Sequence, residues 1–369
     1  MTKPMPLAEF TRLPPVLTAS MGDGLASALD TVADNAAPTH RFLRYGWFAA
    51  ALSAYGGAAR TLTIAREGVP VLALPFVPMG PGPLRLATVP GSYWPFRSFP
   101  VAADAGAEAF ELLLDRLGRE VTALRVGPVY DGDPGLEGLR AAADAKGWVA
   151  IDRFVAESFL LDMAALRDEG TWPRNSTLRK NRFHEKHLGE HGVLDWRFVS
   201  GADWNGGAFD DLAAVEHKSW IAERTDGSDA KFTGDGHGPF WRAAAADPVV
   251  AAMMWAAVLH IDGEPTAFSF DMNAGGLKYA IANSYDPRVG KHSPGKLLYY
   301  RNLVRAIEDG ITTVDWGAGD SGYKRVIGAA AGPAIRDWLF VRRGAPALVG
   351  RLLKGLWQRS GHAVPQAQG

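Results

Sequence analysis

The chain has 369 residues, 47% apolar and 21% charged, with a formal net charge of −1 and no cysteine. This balance excludes wholesale disorder and excludes a global field that would draw in nucleic acid or an anionic membrane, and the length predicts two domains. Without cysteine there are no disulfides, thiolate metal sites or cysteine nucleophile, so any thiol chemistry must come from a ligand.

The opening MTKPMPLAEFTRLPP lacks the apolar core of a signal peptide. No window reaches the roughly 18 apolar residues of a membrane span, and the expectation is a soluble cytoplasmic protein. Residues 61–91 read as three strands, with turns at Glu67-Gly68 and around Gly80-Pro81-Gly82. A helical segment from Ala103 to Gly118 and a short strand in 121–132 follow. The stretch between meander and helix, GSYWPFRSFPVAADAG (91–106), is aromatic, with Arg97 as its only cation. Its Tyr93, Trp94 and Phe96 suit core filling or the shaping of an acceptor groove.

Residues 171–198 predict a helix from Ser176 to about His191, then strand-like residues after Gly192. Arg174, Arg179, Lys180, Arg182, Lys186 and Arg197 stand against only Glu185, Glu190 and Asp195. That basic face is either solvated or in contact with an acidic or phosphorylated ligand. His184, His187 and His191 share one side of this helix but match no zinc pattern, so no metal is expected. Residues 215–238 read as a helix followed by a glycine- and aspartate-rich loop, with Trp220 near the junction. Glu216 and His217 are adjacent, hence on different helix faces, and do not make a metal pair.

The first meander then recurs. Residues 256–286 place Gly263, Pro265 and Gly275 at a shift of 195 from Gly68, Pro70 and Gly80. A helix from Pro294 to Asp309 follows, and the strand in 311–322 matches Thr122, Gly127 and Gly132 with Thr312, Gly317 and Gly322 at a shift of 190. Two strand-meander, helix, strand units predict a tandem α/β (α+β) architecture. Each copy has a mixed, mostly antiparallel sheet whose last two strands run parallel across a helix. The expected division is 1–165, 166–345 and a basic amphipathic tail, 346–369. Within the second meander Ser269 and Asp271 alternate with Phe268 and Phe270, which puts the polar pair on one face, either a groove floor or a solvated surface.

The loop before the second helix carries Arg288, Gly290, Lys291, His292, Ser293, Gly295 and Lys296. Ser293-Pro294 reads as a helix start, with serine capping the exposed amides and proline at the first helical position. Free amides and the helix dipole favour an anion there, glycines allow close backbone approach, and the cations can meet phosphate oxygens. The expected ligand is a pyrophosphate. No GxxxxGK[ST] occurs and no G-x-G-x-x-G opens a helix, which disfavours P-loop enzymes and Rossmann dehydrogenases. Asp315 and Asp320 flank the glycines after the last strand, with Tyr323 and Lys324 just beyond. A carboxylate on an apolar strand is costly to bury unless paired or employed, so Asp315 is either a general base or the partner of Lys324 or Arg325. The final segment, 346–361, is a basic amphipathic helix that either packs on the domain or touches the inner membrane face.

The strand, basic glycine loop and helix after an antiparallel meander resemble the GNAT superfamily of acyl-CoA-dependent acyltransferases. The runs Tyr285–Leu298, Gly317–Lys324 and Ser176–Arg182 resemble its double-domain branch, which contains the CelD-like acetyltransferases and the FemABX peptidoglycan transferases. The likeness spans about Phe42 to Phe340; only the second copy has the phosphate loop, and its glycine spacing departs from the strict GNAT pattern. The resemblance implies acetyl-CoA or another acyl-CoA as donor, no metal, and direct transfer to an amine or sugar hydroxyl, an envelope or exopolysaccharide precursor being one such acceptor. It puts the thioester between the diverging strands, Asp315 as base or acceptor orienter, Tyr323 as proton donor to the thiolate and Lys324 as neutraliser of developing charge. Trp220, Ser269, Asp271 and Asp320 would line the acceptor site. Two rivals stay open: a FemABX-like aminoacyl transferase that takes its donor from charged tRNA through the basic segment, and a non-catalytic scaffold of a polysaccharide-synthesis complex.

Overall fold

The computed structural model describes residues 16–91, 96–168, 174–219, 230–319 and 322–360. Its strands are β1 (Leu17–Asp23), β2 (Arg60–Arg66), β3 (Val69–Met79), β4 (Leu86–Thr88), β5 (Ala123–Tyr130) and β6 (Val149–Asp162), then β7 (Leu194–Ser200), β8 (Met254–Ile261), β9 (Glu264–Ala274), β10 (Leu277–Tyr285), β11 (Thr313–Ala318) and β12 (Ala330–Val341). Helices of the first half are α1 (Ala28–Asp34), α2 (Tyr45–Tyr55), α3 (Ala107–Glu120), α4 (Pro134–Lys146) and α5 (Met163–Asp168). Those of the second are α6 (Asn175–Leu188), α7 (Gly206–Lys218), α8 (Gly238–Ala244), α9 (Pro248–Met253), α10 (Pro294–Glu308), α11 (Tyr323–Val326) and α12 (Ala345–Arg359).

The repeat read from turn glycines is present in three dimensions. Glu67 and Gly68 join β2 to β3 with φ of 52° and 83°, and Asp262 and Gly263 join β8 to β9 with φ of 50° and 82°. Two consecutive positive φ angles give the two-residue hairpin turn whose twist matches the strands it connects, which is why each has a glycine second. Even the β-bulges coincide, at Ile64/Ala65 and at Leu259/His260. In each copy the fourth and fifth strands run parallel, β4 with β5 and β10 with β11, bridged by α3 and α10. Helix α3 buries Ala109, Phe110, Leu113, Leu114 and Leu117, a spacing of three and four that gives one apolar stripe for the sheet.

The copies are joined by exchanged strands. The sheet order is β1-β2-β3-β4-β5-β12-β6-β11-β10-β9-β8-β7, so β6 lies beside β11 and β12 beside β5, with β6 and β12 antiparallel at the centre. Aromatic packing closes the junction. Trp47 of α2 meets Phe240 and Trp241 of α8 with ring centroids 4.8 and 6.0 Å apart, and Phe96 sits 4.8 Å from Tyr279 of β10. Phe96 is thus core between the copies; Tyr93 and Trp94 lie outside the described residues.

The C-terminal helix expected in 346–361 forms as α12 and packs along β6. Arg153 of β6 stacks over Trp357 at 4.3 Å and donates to Ser360 Oγ at 2.8 Å. Leu348, Leu352 and Leu356 form an exposed stripe on the other side, and it is this face that the membrane reading of the sequence concerns. No helix among the described residues is long and apolar enough to cross a membrane.

Candidate functional site

Strands β10 and β11 pair only over Leu277–Tyr279 and Thr313–Asp315. Beyond that point the ladder ends, and bulges at Ala280/Ala282 against β9 and at Asp315/Ala318 against β6 turn the two strands apart. A cleft of about 610 Å³ fills the gap. Ala280–Asn283, Trp316, Tyr299 and Ile327 wall it, and Gly290, Ser293, Gly295 and Lys296 stand at its mouth. The divergence of strands that the resemblance implied is therefore a feature of the sheet.

The loop at the mouth is a 3₁₀ turn, Pro287–His292, set by Asp286, whose carboxylate accepts from the Arg288 amide at 2.9 Å. Ser293 departs from the sequence reading. Its side chain makes no capping hydrogen bond, because its backbone is left-handed (φ 54°, ψ 47°) and turns the chain sharply into α10. The helix is instead opened by the Ser293 carbonyl, which accepts from the amides of Lys296 and Leu297 at 3.0 and 3.2 Å. Asn283, which the sequence reading passed over, donates from Nδ2 to the Gly295 carbonyl at 3.0 Å and fastens the first turn to β10. A Cβ at Gly295 would fall inside that amide, and one at Gly290 would press on the Tyr285 ring at 3.1 Å. Both glycines are therefore required by close approach.

The cations around the loop are not equivalent. Arg288 turns to Asp286, with Nη2 to Oδ2 at 2.6 Å, and does not line the cleft. Burial works to raise the Asp286 carboxyl, but the side-chain and backbone hydrogen bonds of Arg288 outweigh it and hold it low. Lys291 is exposed. Lys296 lines the cleft, and burial together with the like charge of Lys180 pushes its ammonium down, with no carboxylate among the described residues opposing them. His184 of α6 is lowered by burial and then by Lys180 and Lys296. His292 lies 5.7 Å from His187 and 5.2 Å from His191 between ring centroids, so the end of α6 and the 3₁₀ turn after it bring their histidines to the loop. Among the described residues no group of His, Asp and Glu side chains is arranged to hold a metal ion.

The two faces of β11 divide the remaining residues. Trp316 faces the first cleft, whereas Asp315 lines a second, of about 420 Å³, with Tyr279, Tyr130, Asp133 and His40. Asp315 is 3% exposed. Burial raises its carboxyl, opposed by a hydrogen bond from Tyr130, by the Gly317 amide at 2.7 Å and by Lys324. The second cleft is composite. His40 Nε2 lies 3.1 Å from Asp133 Oδ2, and Ser98 Oγ donates to Asp133 Oδ1 at 2.7 Å, all three from the first copy. No spacing in the sequence signals that His40 and Asp133 would face Asp315, since tertiary folding alone unites them.

Lys324 lines the first cleft, and its ammonium donates to the carbonyls of Gly317 and Ala318 at 3.0 and 2.9 Å. Tyr323 opens α11 beside it. Ser269 is buried and lines the first cleft. Asp271, its neighbour on the strand face, is sealed beneath α10, where its Oδ2 meets Lys278 Nζ at 2.7 Å and Asn302 Nδ2 at 2.6 Å. Asp320 and Trp220 lie outside the described residues.

A GNAT acetyltransferase domain family matches residues 175–325. No curated protein matches the chain. Among solved structures it is similar to FemX, at 12% identity and a TM-score of 0.59, covering 90% of this chain and 99% of that one. It is also similar to a conserved protein of unknown function from Bacteroides thetaiotaomicron (12%, TM-score 0.53, 88% and 100%). A third is the C-terminal domain of a putative lysylphosphatidylglycerol synthetase from Agrobacterium fabrum (17%, TM-score 0.51, 89% and 95%). These three likenesses bear on the fold. Residues 175–325 match the GNAT acetyltransferase domain, and the chain as a whole shares the fold of these structures.

Proposed function

We propose that the protein transfers an acyl group from acyl-CoA directly to an amine or sugar hydroxyl, with residues 166–345 binding the donor and residues 1–165 completing the acceptor side. The observation that carries this reading is the cleft between β10 and β11, with Lys296 at its mouth and, among the described residues, no carboxylate opposing its charge. A diphosphate at the first turn of α10 would relieve the repulsion between Lys296 and Lys180 and meet the helix dipole. The pantetheine arm would then run between the diverging strands and bring the thioester to the edge shared by Trp316 and Asp315. Asp315 takes the acceptor proton from the opposite face, and Lys324 steadies the turn where charge develops. The reading gives Tyr323 the part of proton donor to the departing thiolate.

Acetyl-CoA at about a hundred times its Kd should add about 2.7 kcal/mol of stability, a rise of several degrees in Tm that free CoA competes for. Release of free thiol with an amine or glycan-precursor acceptor should accompany it. The cations should separate by their geometry: Lys296→Ala should weaken CoA binding about ten-fold, as loss of one charge-assisted contact does, whereas Arg288→Ala should change it less than about three-fold. Equal losses at the two positions would sink this placement of the phosphates.

A second reading is favoured by one observation, the exposed Arg174, Arg179, Lys180, Arg182 and Lys186 along α6. Under it the donor is a charged tRNA. RNA binding that weakens steeply with salt, with no response to CoA, would select it.

A further inference from the structure

The donor cleft opens on the β11 side of α10. On the β7 side of the same helix runs a separate groove of about 530 Å³, between α6 and α10, walled by Leu178, Leu297 and Phe198. Asn181 lines it. This side chain is 7% exposed, and neither its Oδ1 nor its Nδ2 has a hydrogen-bond partner. A buried amide in that state is costly, and folding normally removes it. No partner fixes its terminal torsion, so the amide is free to turn toward a ligand. One turn along α6 the buried Nδ1 of His184 is likewise without a partner, and His184 lies within the field of Lys180 and Lys296 at the phosphate loop. Unmet polar demand thus extends from the groove to the place where a diphosphate is expected.

The chemistry of the groove narrows the ligand. A side-chain amide offers a donor and an acceptor side by side, the complement of the adenine edge formed by its amino group and adjacent ring nitrogen. The walls suit a flat ring. Arg305, on the groove, holds its guanidinium 4.3 Å from the Phe198 ring and 5.2 Å from that of Trp255, and Arg301 lies 4.1 Å from Trp196. Stacked aromatic and guanidinium planes are the surfaces on which proteins lay nucleobases. Arg182, exposed at the rim, can meet a phosphate.

We propose that this groove is a binding site for the base of an adenosine nucleotide, with Asn181 reading the adenine edge. Where the nucleotide is the donor's own adenosine, the proposal rests on the phosphate-loop reading above; a free adenine nucleotide would present the same chemistry.

Calorimetric titration of the full chain with CoA, 4′-phosphopantetheine and AMP tests it in wild type and in Asn181→Leu. Leucine keeps the volume and removes only an unpaired amide, so Tm should hold or rise and a loss of affinity is not a loss of fold. Asn181→Ala provides a second, smaller replacement. Both should weaken CoA about ten-fold, the worth of one paired base edge, and leave 4′-phosphopantetheine unchanged. AMP binding that depends on Asn181, without CoA binding, would support the base site with a free nucleotide as its occupant and would overturn the donor reading instead. CoA binding equally to wild type and both variants would overturn the base site while leaving the donor reading intact. If neither CoA nor AMP binds wild type, the base site is overturned as well.

Discussion

Asp315→Asn is expected to lower the transfer rate by about 10²- to 10⁴-fold, the usual worth of a positioned general base, while CoA affinity and the fold are retained. Asp315 stands at the last position where β11 pairs with β10, on the face opposite the cleft between those strands, where an acceptor entering beside His40 and Tyr279 would meet it. Burial raises its carboxyl above the usual range, which suits a base working near neutral pH. The wild type should therefore show a limb of kcat/KM that rises with pH through that elevated value, and the asparagine variant should lack it.

Stability should move the other way. A carboxyl whose folded pKa is raised favours the folded state fully below its unfolded pKa, and that contribution fades as pH rises through the folded value. Once pH has risen through that folded value, the wild type carries a buried charge that the variant does not. Asp315→Asn should melt at or above wild type near pH 7, and the gap should close in acid, where both side chains are neutral. A scaffold role predicts no rate to lose. A structural ion pair with Lys324 predicts a lower Tm in the variant, and the ammonium of Lys324 is already held by the carbonyls of Gly317 and Ala318.

What could be read from the chain beforehand depended on whether local chemistry or tertiary pairing decides the feature. The repeat was legible because a two-residue hairpin needs positive φ at both positions, and glycine at 68 and 263 advertises that. The parallel pair and its bridging helix followed from the order of elements. The exchange of β6 and β12 had no such signal, since both strands would alternate in the same way beside either neighbour. At the site, the glycines and Lys296 were visible as a basic loop before a helix, whereas the left-handed turn at Ser293 and the grip of Asn283 on Gly295 depend on how β10 delivers the chain. Ser269 and Asp271 shared a strand face as expected, yet α10 covers one and leaves the other at the cleft. Lys278 decides this. It arrives from the neighbouring strand and neutralises Asp271 in place.

The largest loss of stability should come from the exchanged strand. Asp337 of β12 is 0% exposed and receives two guanidiniums, Arg125 of β5 with Nη2 to Oδ2 at 2.7 Å and Arg153 of β6 with Nη2 to Oδ2 at 2.7 Å. One carboxylate therefore ties β12 to both of its neighbours in the sheet, β5 and β6, and β6 continues to β11. Asp337→Ala would leave two partly buried cations facing each other, and a broken buried pair costs about 3–5 kcal/mol. An exposed pair such as Arg140–Glu137 is worth no more than about 1 kcal/mol, so Glu137→Ala is the control. Urea unfolding should show the Asp337 loss as a lower midpoint. Substituting Arg125→Met, Arg153→Leu and Asp337→Leu together should recover much of it, because removing the charges as a set leaves none stranded. A loss below about 1 kcal/mol for Asp337→Ala would mean that backbone pairing along β12, and not this carboxylate, holds the copies in register. The consequence reaches the site through β6, which pairs with β12 on one edge and with β11 at Leu160–Asp315 on the other. Loosening the central pair therefore moves the strand that carries Asp315, and activity in Asp337→Ala should fall at temperatures well below its own Tm.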